Sequence, residues 1–251
     1  MRGVALGTSI AEVFACAVGI TVALRHMRGM DAHWSVRRIL MPAQLKRTFA
    51  VNSDIMIRTL ALISAFVWFA SQGARQGDVV LAANSILLQF ISVAAFFLDG
   101  FAFATESLVG RAIGAAHRAG LTMAVRMTTR WAAGVAMLVA VALWSCGPWL
   151  IDRLTVDTAA RAAAQAYLPW AAGAPLLGVW AFQLDGIFIG ATQTADMRNA
   201  MLVSLGIFLA AWWLLRPFGN HGLWAAFYVH YLARTATLLR CYPKLVRAVP
   251  A

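Results

Sequence analysis

The sequence predicts an all-α polytopic membrane protein with about seven transmembrane helices. Of its 251 residues, 61% are hydrophobic and only 12% are charged, whereas roughly 25% are charged in a typical soluble domain. The mean hydropathy of +0.72 and the ten tryptophans fit a chain that crosses a bilayer several times. A net charge of +11 indicates nucleic-acid binding in many soluble proteins. Here the basic residues lie in short loops between apolar runs, so no nucleic-acid partner is expected.

Seven apolar runs are candidates to cross the hydrocarbon core, which is ~30 Å thick and needs about 20 helical residues. The third run covers ~45 Å at 1.5 Å per residue, so its helix must tilt, bend or protrude. The fifth run contains two prolines, which allow a bend in a membrane helix. The runs are residues 3–24, 55–71, 79–109, 131–151, 167–190, 197–215 and 222–239.

Lys and Arg are distributed unevenly between the two sides of this topology. The outer loops contain only Arg75, Arg153, Arg161 and Arg216, whereas the inner segments contain most of the other basic residues. An excess of Lys and Arg marks the cytoplasmic side of membrane proteins. We therefore predict that residues 25–53 form a cytoplasmic linker, that the carboxyl terminus is cytoplasmic and that the protein is multi-pass in the cell (inner) membrane.

One pattern occurs twice inside the apolar runs. Residues 96–100 read FFLDG, and residues 182–186 read FQLDG. A carboxylate in hydrocarbon costs at least ~2.5–3.5 kcal/mol, and such acids usually face a cavity or a partner along a solute or proton path. A structural hydrogen bond between helices is the alternative for each acid. We predict that Asp99 and Asp185 bind the transported solute or ion.

The two acids are predicted to lie at a similar depth. Both of their runs cross from outside to inside, with 12 positions from Asp99 to Arg111 and 13 from Asp185 to Arg198. Each acid then lies roughly 18–20 Å from the inner charges, which is near the midplane. Secondary transporters bind their substrates and coupling ions at that depth. The two aspartates are therefore predicted to line one cavity.

Other polar residues in these runs are additional candidates for substrate or ion binding. Gln183, Asn84 and Gln89 either line the same cavity or bridge helices. Glu106 follows Asp99 by seven residues, so it shares a helix face with that acid. It is either a relay group or a carboxylate that extends toward the next basic loop.

Two local features are predicted to be structural. Asp54 and Arg58 are four residues apart in the second run, and this spacing favours an ion pair on one helix face. Gly100 and Gly186 follow the two acids and are predicted to allow close backbone approach or a local kink.

The sequence carries no sign of catalysis. The patterns C-x-x-C, H-E-x-x-H, G-x-S-x-G and G-x-x-x-x-G-K-[ST] do not occur in it, and its three cysteines are isolated. An integral-membrane enzyme would need clustered acids or histidines at a membrane face, and the sequence has no such cluster. We predict a protein that is not an enzyme, with no metal site and no cofactor other than H⁺ or Na⁺ as a coupling ion.

Five stretches carry a family resemblance: residues 52–60 (NSDIMIRTL), 81–90 (LAANSILLQF), 98–111 (LDGFAFATESLVGR), 182–192 (FQLDGIFIGAT) and 219–224 (GNHGLW). They resemble the DinF-like branch of the MATE (multidrug and toxic compound extrusion) family, and the resemblance extends over nearly the whole chain. Asp185 matches an acid common in the second lobe of that family, and Asp99 matches the acid of the DinF-like motif.

The resemblance implies a domain organisation. Members of the family have twelve helices in two six-helix lobes. By resemblance, residues 1–24 are the last helix of an otherwise missing first lobe, residues 25–53 are the linker, and residues 54–251 are the second six-helix transport lobe. The chain is therefore expected to be truncated at its amino terminus.

The resemblance and the two acids together predict a secondary active antiporter. It would export organic, cationic or amphiphilic compounds in exchange for H⁺ or Na⁺, because one carboxylate holds either a proton or a cation. The expected partners are the lipid bilayer, a small-molecule substrate and a first lobe supplied by another chain. A flippase for lipid-linked precursors, which would need a more basic cavity, and a non-functional fragment or scaffold are the alternatives.

Overall fold

The structure is a computed structural model that describes residues 2–27 and 40–249, apart from the side chains of residues 2–5 and 26. The described residues form helices joined by short turns, with no β-strand among them. The helices are α1 (Arg2–Met27), α2 (Pro42–Ala74), α3 (Asp78–Gly114), α4 (Arg118–Leu154), α5 (Thr158–Gly190), α6 (Thr194–Leu215), a short 3₁₀ helix (Arg216–Phe218) and α7 (Gly219–Arg247).

The predicted all-α membrane class is confirmed. Within the described residues, six segments are long and apolar enough to cross a membrane, and the last of them, Thr194–Arg247, contains both α6 and α7. The helices are longer than the predicted runs. Residues 42–53 of the predicted linker belong to α2, which begins at Pro42, a residue whose fixed φ suits the first turn of a helix. Residues 28–39 of that linker lie outside the described residues.

The chain divides into two compact units, residues 1–48 and residues 49–251, and each is described by itself. The first unit contains α1, whose stretch Leu6–Arg25 has the length and hydropathy of a membrane span. The second unit contains most of α2 and all of α3 to α7, together with the buried core. Every feature of the functional site described below lies in this second unit.

Helices α3 and α5 pack side by side in parallel. A Cβ atom added to Gly186 would collide with the carbonyl oxygen of Ala102, and one added to Gly190 would lie 2.5 Å from that of Glu106. The residue numbers differ by the same amount at both contacts, so the two helices run in the same direction. Of the two predicted roles, close backbone approach is found at Gly186. It is not found at Gly100, where a Cβ meets nothing within 4 Å.

The core of the second unit is rich in aromatic side chains, and large apolar residues also cover its outside. Phe69 of α2 packs edge-on against Trp224 of α7 with ring centroids 4.9 Å apart. Large apolar side chains such as Phe103, Leu138 and Trp213 are exposed. An apolar exterior around helices whose backbone groups are satisfied internally suits a surface that faces lipid.

Candidate functional site

Asp185 is bound by two arginines inside the second unit. Its side chain belongs to α5 and the residue is 5% exposed. Arg58 of α2 and Arg234 of α7 both donate hydrogen bonds to Oδ2 of Asp185. Its other oxygen, Oδ1, has no hydrogen-bond partner in the described part of the chain. Three helices therefore meet at one carboxylate, which balances only one of the two guanidinium charges.

Asp99 faces a cavity of about 370 Å³ that Arg58 and Arg234 also line. The residue is half-buried, and among the described residues it makes no direct ion pair. Both arginines still interact with it electrostatically. The two acids thus share one pair of arginines, which bind Asp185 directly and act on Asp99 from a greater distance.

The packing of α3 against α5 places the two acids at nearly the same level. Gly186 lies beside Ala102, so Asp185 is level with Phe101, two residues from Asp99. At 1.5 Å per residue this is a difference of ~3 Å along the helices. The sequence prediction of similar depth agrees with this geometry.

The remaining cavity wall is mostly aromatic and aliphatic. Its volume falls within the roughly 300–1,000 Å³ of small-molecule sites, and such sites usually combine an apolar lining with a few polar groups. An amphiphilic organic molecule matches that lining better than a small hydrated ion does. The apolar wall includes Leu62, Phe66, Ile91, Phe96, Phe182 and Tyr231.

The predicted ion pair between Asp54 and Arg58 requires correction. Arg58 binds Asp185 instead, while Asp54 accepts hydrogen bonds from Arg198 Nη1 at 2.5 Å and from Thr194 Oγ1 at 3.0 Å. The spacing of four residues permits a pair on one helix, but each side chain finds a partner on a neighbouring helix. Asp54 therefore links α2 to the start of α6, and Arg58 extends into the interior.

Asn84 belongs to a separate polar cluster and does not line the cavity around Asp99. Its side-chain amide exchanges two hydrogen bonds with that of Asn220, at 2.8 and 2.9 Å, and its oxygen also accepts one from Trp224 Nε1 at 3.1 Å. These bonds join α3 to α7. Of the two sequence hypotheses for Asn84, this geometry matches the bridge between helices.

The other polar candidates lie outside the Asp99 cavity. Gln183 is buried, accepts a hydrogen bond from Thr105 Oγ1 at 2.8 Å and borders a separate cavity of about 160 Å³. Gln89 is exposed on α3. Glu106 is half-buried and makes no ion pair within the described residues.

Sequence reasoning missed Arg234 and misassigned Arg58. Arg234 is the only charged residue in the predicted run 222–239, and an ionisable residue within a membrane span is by default a functional candidate. Applying this rule to bases as well as to acids would have identified it. The pairing of Arg58 with an acid 127 positions away had no signal in the local sequence.

The site offers charged groups for binding but no cluster for metal chemistry. In residues 2–27 and 40–249, no group of three or more His, Cys, Asp or Glu side chains is placed to hold a metal ion. Asp99 is the cavity carboxylate without a direct cationic partner in that part of the chain. Its charge is therefore balanced only at a distance, by the arginine charge that Asp185 leaves over.

Comparison with known proteins gives consistent matches. The MatE family model matches residues 55–214. DNA damage-inducible protein F of Escherichia coli is 34% identical over 238 residues, which are 95% of this chain and 52% of that protein. The chain therefore spans about half the length of this relative.

Two solved structures share the fold. The Vibrio cholerae MATE transporter VcmN, in its bent form, has a TM-score of 0.82 and 17% identity over 94% of this chain and 55% of its own. A MOP superfamily transporter from Pyrococcus furiosus, described by the reverse polarity of its binding pocket, has a TM-score of 0.68 and 17% identity over 82% of this chain and 46% of its own.

Proposed function

Because the chain belongs to the MatE family, we propose that it acts as one lobe of a secondary active transporter. The transporter would export organic cations or amphiphilic compounds in exchange for H⁺ or Na⁺. Its place would be the inner membrane, with the carboxyl terminus in the cytoplasm. A first lobe of matching size would complete the path.

The observation that carries this proposal is the position of Asp99. It lies in the wall of an apolar cavity large enough for an organic molecule, and the two arginines beside it are engaged by Asp185. A cationic or amphiphilic molecule can then place its positive group near Asp99 and its apolar part against Phe66, Phe96 and Phe182. This combination is what recognition of such compounds requires.

Competition for one carboxylate supplies the coupling. When Asp99 holds a proton it is neutral and attracts a cationic solute weakly; when the proton leaves, the charged form attracts the solute. Na⁺ would compete in the same way as a proton. If the cavity opens alternately to the two sides, an inward gradient of H⁺ or Na⁺ drives the solute outward.

A second candidate function rests on the two cavity arginines. A flippase for lipid-linked precursors needs a basic cavity, and Arg58 and Arg234 line this one. The binding pocket of the Pyrococcus furiosus relative, described as having reverse polarity, shows that polarity varies among similar folds. Asp185 and Asp99 offset both arginine charges here, so we rank export of cations first.

The test is exchange in liposomes. The purified chain, alone or together with the part of the Escherichia coli relative that it does not match, is reconstituted and given an H⁺ or Na⁺ gradient. Movement of the fluorescent cation ethidium is followed beside that of an anionic dye. Asp99→Asn should reduce ethidium exchange by about tenfold or more, because a carboxylate and a cation about 4 Å apart attract each other by several kcal/mol near a protein surface and each ~1.4 kcal/mol is a factor of ten.

A matched acid provides the control. Asp152→Asn removes an exposed carboxylate that pairs with Arg161 at 3.2 Å outside the cavity, and it should leave exchange unchanged. Ethidium exchange that is equally fast in Asp99→Asn and in the parent chain would refute the proposal. Gradient-driven movement of the anionic dye alone would favour the flippase.

A further inference from the structure

A third cavity, separate from those at Asp99 and Gln183, lies between the ends of α2 and α6. Its volume is about 460 Å³, which is within the range of small-molecule sites. Arg75 and Arg216 both line it, and among the described residues of its lining none is acidic. We name it the Arg75–Arg216 pocket. The proposed transport function makes no use of it.

One face of α2 forms the first wall of the pocket. Trp68, Gln72, Arg75 and Gln76 line it, at spacings of four, seven and eight residues, which a helix places on a single face. Arg75 is the first residue after the end of α2. The wall therefore changes from an aromatic ring to amide and guanidinium donors over about two turns.

One face of α6 repeats this order on the other wall. Leu209, Trp212, Trp213 and Arg216 line the pocket, and Arg216 is the first residue after the end of α6. Each arginine follows an apolar residue of its wall by seven positions, or ~10 Å along the helix. The pocket therefore has a cationic end and an apolar end.

A buried donor without a partner lies between these two ends. Gln72 is 5% exposed, lines the pocket, and has no hydrogen-bond partner for Nε2 in the described part of the chain. The neighbouring Gln76 donates to the carbonyl oxygen of Gln72 at 3.4 Å, so it does not satisfy that amide. A buried donor left unsatisfied costs about 1–3 kcal/mol. Because Nε2 is itself buried, the Gln72 side chain must rotate toward the pocket to donate to an oxyanion there and so remove this cost.

We propose that the Arg75–Arg216 pocket binds the acidic headgroup of an anionic phospholipid. The phosphate would accept hydrogen bonds from Arg75, Arg216 and Gln72, and the adjoining part of the acyl chains would lie against the tryptophans. Basic pockets between membrane helices on the cytoplasmic side bind acidic headgroups. The predicted topology places Arg75 and Arg216 on the outer side, where the same charge attraction would act on an acidic headgroup of the outer leaflet. Tryptophan is enriched at the level where headgroup meets hydrocarbon on both sides. The inference requires a position in the bilayer but no transport activity.

Helix electrostatics offers a competing explanation for the two arginines. The carboxyl-terminal end of a helix carries partial negative charge, so a cation placed there is stabilising by about 0.3–1 kcal/mol. That explanation predicts a loss of stability without lipid preference when the arginines are replaced. It also leaves the unpaired donor of Gln72 unexplained.

Native mass spectrometry of the full chain in detergent, titrated with phosphatidylglycerol or phosphatidylcholine, tests the proposal. The parent chain should prefer phosphatidylglycerol. The double variant Arg75→Gln/Arg216→Gln should weaken phosphatidylglycerol binding by about thirtyfold, given the usual contribution of each arginine near an anionic headgroup. Gln72→Leu should weaken it by about fivefold through loss of one donor.

Matched variants separate lipid binding from general charge and from folding. Arg153→Gln removes another arginine beside a tryptophan, Trp149, whose ring centroid lies 5.7 Å from the guanidinium carbon; it should leave the preference intact. Arg75→Lys/Arg216→Lys should keep part of the preference because the charge remains. Each variant is first compared with the parent by chemical unfolding.

Three results would overturn the inference. One is equal binding of the two lipids by the parent chain. Another is a loss in the double glutamine variant no larger than that in Arg153→Gln. The third is displacement of phosphatidylglycerol by glycerol 3-phosphate at similar concentration, which would assign the pocket to a soluble phosphate compound instead of a lipid.

Discussion

The two FxLDG segments are nearly identical in sequence and differ in their surroundings. Asp185 is buried and bound by two arginines, whereas Asp99 is half-buried, lines a cavity and makes no direct ion pair in the part of the chain that the structure describes. Gly186 lies against the backbone of Ala102, whereas Gly100 borders open space. The same local pattern therefore supports two roles, and the neighbouring helices decide which role each copy takes.

The phenylalanines at the start of the two segments differ in the same way, one being exposed and the other packed against the core. Phe96 is 74% exposed and meets the cavity from its open side. Phe182 packs against the buried core of the second unit and forms part of the inner wall of the same cavity. The second copy therefore holds the bundle and its arginines in place, and the first presents an acid to the cavity. Three predictions test this division.

Replacement of the buried acid should have the largest effect on stability. Asp185→Asn leaves the buried guanidinium of Arg234 and the partly buried one of Arg58 without their carboxylate, and breaking a buried ion pair costs about 3–5 kcal/mol. The free energy of unfolding should fall by this amount, as measured by SDS-induced unfolding in mixed detergent micelles.

Two further variants serve as a reference and as a rescue for that prediction. The exposed pair between Asp152 and Arg161 gives the reference, since Asp152→Asn should cost less than about 1 kcal/mol. Asp185→Asn/Arg234→Met should recover part of the lost stability, because the double variant buries one positive charge fewer. Equal stabilities of Asp185→Asn and the parent chain would contradict a structural role for the second copy.

Replacing each of the two glycines by alanine should change the stability by an intermediate amount, with a loss at Gly186 and a gain at Gly100. Gly186→Ala places a methyl group against the carbonyl oxygen of Ala102, and such overpacking costs about 1–3 kcal/mol. In Gly100→Ala the new methyl group meets nothing within 4 Å, so the higher helix propensity of alanine should add up to ~1 kcal/mol of stability. The same unfolding assay compares both variants with the parent. A Gly186→Ala variant that is as stable as the parent would mean that α3 and α5 are not in close contact at Gly186.

Helices and depth were predictable from the sequence because both depend on local pattern. Long apolar runs predict membrane helices, and the repeated motif placed Asp99 and Asp185 at one level. The predictions that failed concerned side chains whose hydrogen-bond or ion-pair partners are distant in the sequence. Nothing near Arg58 shows that it pairs with Asp185, and nothing near Asn84 indicates that its amide pairs with Asn220 on α7.

The different surroundings of the two FxLDG segments could also not be predicted from the residues next to them. A glycine after each acid permits close approach, but only the neighbouring chain decides where approach occurs. At Gly186 that neighbour is Ala102 of α3. Arg234 is a different case, since a charge inside a predicted span is visible in the sequence and general rules identify it as a functional candidate.

Among the substitutions in the two FxLDG segments, that of Asp99 should have the smallest effect on stability. It is also the sharpest test of whether the two segments have different roles. Asp99→Asn should change the free energy of unfolding by less than about 1 kcal/mol, because the half-buried acid has no direct ion pair in the described residues. In the Asp185→Asn background, however, Asp99 is the remaining carboxylate that acts on both cavity arginines. The same substitution should then cost more, with a coupling free energy of about 0.5–3 kcal/mol in a double-mutant cycle. Additive effects would mean that the two copies act as separate sites, whereas coupling of this size would mean that the arginines join the two acids into one.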